Sequence, residues 1–388
     1  MKKFNKNIIV FVFAMLFIAT GIWGEKMKWA ALDLAAGLKH GNIHSVVDYK
    51  NKAEEISNNG LSYHDAMVDL NSVKENIIGT RVKDKGETLV VKTDDGFLSE
   101  NNEVKPISNN EINSYIDGVI SVWKTAKENG AEYLYCVRPN KSSFGGFPSN
   151  ELCYQKQNTD KKITALSDNN IPFIDFETSL QKYNLGKEEM FFDTDHHWRP
   201  YAGFLATKNL CEELHKRYGF EYNEDYIEIS NYNVKTYKDW FLGSYGKKVG
   251  RFFSWNGADD FDLITPKFDT NLTEEIPAQA SVRKGEFKDT ALYMDNMKKD
   301  YYHINTYATY SGGDFRLQIM RNNMNPKGKK IVLLRDSFSC VVAPFLALQT
   351  SELHIIDDRD GDYPSGDKVN IEEYIKKIKP DYVVVIKQ

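Results

Sequence analysis

From residue 109 onward the chain alternates amphipathic helical stretches with short, continuous apolar runs, and this alternation restricts the fold more than any other feature of the sequence. Residues 109–129 carry Ile112, Tyr115, Ile116, Val119, Ile120 and Trp123 at helical spacing and stop at Gly130, a residue free to take the left-handed conformation that ends helices. The run Glu132-Tyr-Leu-Tyr-Cys-Val137 is apolar without alternation, as expected of a strand covered on both faces. A helix over 161–168 leads to the strand Pro172-Phe-Ile-Asp-Phe176, and residues 179–185 close that unit at Gly186. The clearest helix spans 199–218: Pro200 suits its first turn, Phe204, Leu205, Leu210 and Leu214 form its apolar stripe, and Gly219 ends it. The last third continues with the strand Lys330-Ile-Val-Leu-Leu334, a helix over 337–348, the strand Glu352-Leu-His-Ile-Ile356, a helix over 371–379, and the strand Asp381-Tyr-Val-Val-Val-Ile386. Repeated units of this kind predict an α/β domain with a mostly parallel sheet and helices on both faces.

The 388 residues, 41% hydrophobic and 13% aromatic, suffice for a large core. A net charge of −5 from interspersed acidic and basic residues leaves no basic patch, so no nucleic acid partner is expected. The first residues, Met-Lys-Lys-Phe-Asn-Lys6, precede an uncharged stretch at 8–23 and then Glu25, Lys26 and Lys28. Residues 1–24 therefore read as a signal peptide with a small-x-small site at Ala19-Thr20-Gly21, or as a membrane anchor slightly short of the ~20 residues that span a bilayer. Either places the remainder outside the cytoplasm, membrane-anchored or secreted, because the positive charges precede the apolar run. Residues 25–105 form a peripheral lead-in: polar helical stretches at 30–38 and 53–73, then Glu87-Thr-Leu-Val-Val-Lys-Thr93 joined through Asp94-Asp-Gly96 to Phe97-Leu98 as a hairpin. The α/β domain is expected over 106–388, with the loosely patterned, aromatic-rich stretch at about 222–291 as an insertion that walls one side of a cleft. Cys136, Cys153, Cys211 and Cys340 lack Cys-x-x-Cys spacing. Zinc-ribbon and redox motifs fall away, while a bridge such as Cys136–Cys153 and buried free thiols both remain open.

Two segments carry chemistry. In Ile331-Val-Leu-Leu-Arg-Asp-Ser-Phe-Ser339 a strand turns directly into a helix. Ser337 then falls at the carboxyl edge of a parallel sheet and near free helix N–H groups that can stabilise an oxyanion, whereas Ser339 falls inside the first helical turn. A capping serine is the plain alternative. In Phe191-Phe-Asp-Thr-Asp-His-His-Trp198, Asp195 stands two residues before His197. It can hold the Nδ1–H and leave Nε2 as a base, with Trp198 walling the imidazole from water. Asp193 reads as a cap for the helix at Pro200. His196 should point away from His197 if the segment is extended, and for that reason a metal bound by Asp193, Asp195, His196 and His197 is disfavoured. Tyr245, Phe252, Phe253 and Trp255 read either as sugar-stacking or as core aromatics.

At these segments the chain resembles the DHHW protein family, named for the tetrapeptide Asp195-His196-His197-Trp198, which is similar to the AlgX and AlgJ alginate O-acetyltransferase proteins. The likeness covers most of 85–388. It is carried by Val137-Arg-Pro-Asn-Lys141, residues 191–203, Gly243-Ser-Tyr-Gly246, Ser311-Gly-Gly313, Leu334-Arg-Asp-Ser-Phe-Ser339 with Pro344-Phe-Leu346, Ile355-Ile-Asp-Asp-Arg359, and Pro380-Asp-Tyr-Val-Val-Val385. The resemblance implies a three-layer α/β/α SGNH-hydrolase-like domain in which the Asp-x-His pair precedes the serine, a permuted order, with Ser337, His197 and Asp195 as triad. It implies transfer of acetyl groups to exported polysaccharide, beside a membrane-bound O-acyltransferase partner and with no cofactor. The sequence departs from the family pattern at Arg335, where Gly or Lys is expected, at Asp193 and Arg199, and at Asp314, where Asn is frequent. A carboxylate at 314 would repel an oxyanion, so a backbone N–H of Gly312 or Gly313 is the expected second donor, with Trp198 and Tyr245 on the substrate side. An acyl-serine transferase or esterase is the resulting expectation. A catalytically silent polysaccharide-binding or scaffold subunit is the rival.

Overall fold

Continuous apolar strands dictate the centre of the fold. In chain order the strands are β1 (Val82–Asp84), β2 (Leu89–Lys92), β3 (Leu98–Asn101), β4 (Glu132–Val137), β5 (Phe173–Asp175), β6 (Tyr232–Phe241), β7 (Asp259–Pro266), β8 (Leu272–Ile276), β9 (Ser281–Gly285), β10 (Leu317–Asn322), β11 (Lys330–Arg335), β12 (Glu352–Asp357) and β13 (Tyr382–Lys387). The main sheet has eight strands in the order β5-β4-β13-β11-β12-β10-β8-β9. β5, β4, β13, β11 and β12 run parallel, and β10, β8 and β9 add an antiparallel edge. β11 lies between β13 and β12, and its side chains split by the period-2 rule, Ile331 and Leu333 into one core and Val332 and Leu334 into the other. Among the described residues, the helices of eight or more residues are α1 (His64–Ile77), α2 (Asn109–Glu128), α3 (Gln155–Asp168), α4 (Pro200–Tyr218), α5 (Ser339–Ala347) and α6 (Ile371–Ile378). α2, α3 and α6 cover one face through Ile116, Val119, Leu166 and Ile375, and α4 and α5 cover the other through Phe204, Leu210, Val341 and Phe345.

The computed structural model describes residues 64–85, 89–101, 103–144, 153–254, 256–359 and 366–388. The N-terminal segment 1–24, the stretch at 30–38 and Trp255 lie outside them. Residues 1–71 and 72–388 form two compact units, the first described only at the start of α1. No helix among the described residues is long and apolar enough to cross a membrane.

The structure departs from expectation in two places. The stretch 222–291 divides: β6 and β7 form a separate two-stranded ribbon, β8 and β9 extend the main sheet through β10, and Phe241, Leu242, Ser244 and Lys247 from it line the cleft that holds Ser337. β10, which lies inside the sheet between β12 and β8, is not expected from the sequence, because its polar Gln318, Arg321 and Asn322 interrupt the apolar run. Of the two readings left open for the cysteines, the structure has free thiols at all four, with Cys136, Cys211 and Cys340 buried. Burial pushes the Cys340 thiol up to about 12, as expected of inert core thiols. The anticipated hairpin is present as β2 and β3. Its Leu98 N–H bonds to Asp193 O at 2.8 Å, so the lead-in touches the loop that carries His197.

α2 starts with a reciprocal cap in which Ser108 accepts from the Glu111 N–H and Glu111 accepts from the Ser108 N–H. Ser108→Ala is expected to lower stability by about 1 kcal/mol, read from the urea midpoint at unchanged slope.

Candidate active site

β11 ends at Arg335 and α5 starts at Ser339, so Ser337 occupies the turn at the carboxyl end of the central strand. Asp336 shapes that turn: its Oδ1 accepts the Phe338 N–H at 3.0 Å and its carbonyl accepts the Ser339 N–H at 3.2 Å. Ser337 lines a cleft of about 370 Å³, whereas Ser339 is fully buried within α5.

The second segment closes on itself. Phe191 and Trp198 pair as an antiparallel bridge and the Phe192 N–H bonds to His197 O at 3.3 Å, so residues 192–197 form a loop rather than an extended run. The expected divergence of the two histidines is thereby corrected: their ring centroids lie 3.8 Å apart. His196 Nδ1 meets Ser244 Oγ at 3.1 Å, and burial beside His197 pushes its imidazole down to about 3. The divergence argument against a metal fails with it. Asp195, His196 and His197 could present ligand atoms within 4.8 Å of one another, although Asp195 and His197 direct theirs to the bonds that follow.

His197 Nε2 lies 2.8 Å from Ser337 Oγ, and His197 Nδ1 lies 2.5 Å from Asp195 Oδ1. With Nδ1–H donated to Asp195, Nε2 holds the lone pair that accepts the serine hydroxyl. Asp195 Oδ1 also accepts the His197 N–H at 3.0 Å and Oδ2 accepts the Ser244 N–H at 2.6 Å. Burial opposes ionisation of Asp195, but His196, His197 and these bonds hold its carboxyl well below the usual range.

The imidazole is walled by a residue that sequence reasoning missed. Tyr307 stacks on His197 at 4.0 Å and 16° and donates to Phe338 O at 3.1 Å. It lies far along the chain in a stretch with no motif, so nothing local marked it. Trp198, expected in that place, is fully buried behind the loop, packed on Phe176 and Phe338, and its Nε1–H bonds to Phe338 O at 2.9 Å. Tyr245 is likewise core, clustered with Val90, Leu98, Val249 and Phe253. Phe252 lies instead in a surface pocket with Val73 and Ile77 of α1. Gly313 lines the cleft, whereas Gly312 backs onto the Tyr293 ring, where an added Cβ would come within 2.5 Å.

Two departures from the family pattern explain each other. Asp314 lines the cleft, but Arg335, fully buried, donates to its Oδ1 at 2.7 Å and to Gly313 O at 2.7 Å, and Arg359 donates to its Oδ2 at 2.8 Å. Burial works against ionisation of Asp314, yet Arg335 and Arg359 keep its carboxyl low. The repulsion expected from an unpaired carboxylate is thus offset by two guanidinium groups. Asp193 does not cap α4: its Oδ2 accepts the Asn256 amide at 2.6 Å, and Arg199, the residue at the cap position, makes no side-chain cap.

Gly243 is required for space alone. A Cβ there would sit 2.2 Å from Asp195 Cβ and 2.6 Å from Asp195 Oδ2. Gly243→Ala is expected to cost about 1–3 kcal/mol through overpacking and to displace the carboxylate, read as a lower melting temperature together with lost activity.

A sheet that ends in a serine, with an imidazole against its hydroxyl and a buried carboxylate behind the ring, is the layout of a serine-hydrolase-like site. Residues 90–234, which include the Asp195-His196-His197-Trp198 loop, match the family described as SGNH hydrolase-like domain, acetyltransferase AlgX. The fold is similar to that of Bacillus cereus PatB1 with a sulfonyl adduct, at 21% identity and a TM-score of 0.63 over 79% of this chain and 96% of that one. It is also similar to a DHHW family protein from Eubacterium siraeum, at 19% identity and a TM-score of 0.56 over 79% of this chain and 92% of that one. No curated protein sequence matches the chain. The resemblance read from the sequence is therefore present in the family match and in the fold.

Proposed function

We propose that the chain is a serine O-acyltransferase or esterase, foremost for acetyl groups, that acts on exported cell-surface polysaccharide through an acyl-serine intermediate. The observation that carries this reading is the 2.8 Å contact of Ser337 Oγ with His197 Nε2, backed by Asp195. His197 takes the serine proton as Oγ attacks the acyl carbonyl. The Ser337 and Gly313 backbone N–H groups receive the oxyanion, and the imidazolium protonates the departing oxygen. A sugar hydroxyl or water, deprotonated in turn by His197, releases the acyl group and restores the serine. The acetyl group and the polysaccharide acceptor rest on the acetyltransferase family match and on the resemblance that accompanies it. An extracytoplasmic location rests on the uncharged stretch at 8–23, and a membrane-bound O-acyltransferase as acyl source rests on the resemblance alone.

The test is acetyl-ester turnover by the purified protein, with and without polysaccharide acceptor, beside Ser337→Ala. Turnover abolished by the substitution supports the enzyme. Turnover absent from both, with polysaccharide still bound, contradicts it and leaves the scaffold.

A further inference from the structure

The turn that follows β4 reaches both halves of the site. Arg138 N–H bonds to Lys387 O at 3.0 Å, which ties the turn to β13, the neighbour of β11. Arg138 Nε donates to Asp336 Oδ2 at 2.6 Å and its guanidinium lies 4.1 Å over the Phe338 ring. It therefore holds the residues immediately before and after Ser337. Lys141, three positions on, is buried. Its ammonium donates to Phe192 O at 2.5 Å, Asp193 O at 2.9 Å and Asp195 O at 2.9 Å, which uses all three of its donors on the carbonyls of the His197 loop.

We propose that Arg138 and Lys141 are positioning residues which, through one four-residue segment, set the distance between Ser337 Oγ and His197 Nε2. The proposal rests on the acyl-serine reading for its kinetic consequence. The geometry it describes is independent of that reading.

The two anchors cannot move separately. Pro139 fixes the backbone between them, and Asn140 accepts the Ser142 N–H on Oδ1 at 3.1 Å and the Ser143 N–H on its carbonyl at 3.0 Å. Asp259 closes the loop from its amide side, accepting the N–H groups of Asp193 at 2.6 Å and Thr194 at 2.9 Å. Lys141 holds the carbonyls and Asp259 the amides, so the loop has few alternative positions. Burying an ammonium here is costly: desolvation pushes Lys141 down to about 7 despite Asp259, Asp193 and Asp195 around it. A lysine buried there at such cost is explained by what it orders, the three carbonyls of the His197 loop. A clamp on one half alone would serve the fold, whereas a clamp on both halves fixes a single reacting distance, where a shift of about 1 Å is enough to cost ~100-fold in rate.

The experiment compares R138M, K141M, the double variant and R138K in the full chain, each checked for folding by circular dichroism. The rate of Ser337 labelling by a sulfonyl fluoride and the imidazole ¹⁵N resonances of His197 are both measured. Each single methionine variant is expected to label roughly 10- to 100-fold more slowly. The double variant should fall no further than the slower single one, because both substitutions release the same distance. R138K, which keeps the charge but not the planar fork over Phe338, should fall between wild type and R138M. If K141M does not fold, R138M and R138K carry the comparison. A folded R138M that labels at the wild-type rate with unmoved His197 resonances overturns the clamp, as do fully additive effects. If wild type itself fails to label, the proposed function falls, and the His197 resonances alone decide the clamp: moved in R138M it stands, unmoved it does not.

Discussion

Ser337→Ala is expected to fold as wild type does while losing acetyl-ester turnover by about 10⁵-fold or more. Ser337 Oγ makes its hydrogen bond to His197 at the cleft surface, so its removal should change stability by only about 1 kcal/mol. The chemistry, by contrast, has no substitute. Ser339 is the next hydroxyl along the chain, but it is fully buried and has no route to the imidazole without unwinding α5. What remains should be the slow background given by oxyanion donors and binding, about 10³-fold over water. Initial rates on a small acetyl ester, paired with thermal melts of both proteins, check the two halves of this expectation together.

Asp195→Asn is expected to lower turnover by about 10⁴-fold with little change in substrate affinity. The amide can present its N–H to His197 Nδ1, and the ring then carries its proton on Nε2, where the serine hydroxyl must be accepted. The same carboxylate gives a signature in acid. Its pKa is depressed in the folded protein, so the stability it contributes is fully present above the unfolded carboxylate range, about 4, and is lost as pH falls through the lower folded value. Wild type should therefore lose melting temperature more steeply than Asp195→Asn between neutral pH and pH 3. Parallel melting curves across that range would contradict the assignment of Asp195 as a buried, ionised partner of His197.

The parts of this molecule legible in its sequence are those governed by local rules. The non-alternating runs at β4, β11, β12 and β13 announced covered parallel strands, and Pro200 and Gly219 bracketed α4 to the residue, the latter in the left-handed conformation. The order Asp195, His197, Ser337 was readable as chemistry because strand-to-helix turns expose their serines and a carboxylate two residues from a histidine can reach its ring. What escaped is decided by tertiary closure. The bridge between Phe191 and Trp198 folds the loop back, so alternation no longer predicts where His196 and Trp198 point. Tyr307 reaches the imidazole from a stretch without periodicity, and the pairing of Arg335 with Asp314 joins two residues that look like separate anomalies along the chain. β10 was invisible because its polar Gln318, Arg321 and Asn322 find their partners, Glu274, Glu275 and the Leu348 carbonyl, only once the sheet has formed. Lys141 was noticed only as part of a motif, and its three carbonyl partners exist only once the loop has closed.

Peptide mass mapping after treatment with a sulfonyl fluoride at neutral pH reads directly whether one hydroxyl is activated by one imidazole. The predicted result is a single adduct on Ser337, in the peptide that begins at Asp336, absent when His197 is replaced by alanine. A folded protein that remains unmodified, or that carries its adduct on another side chain, would contradict it.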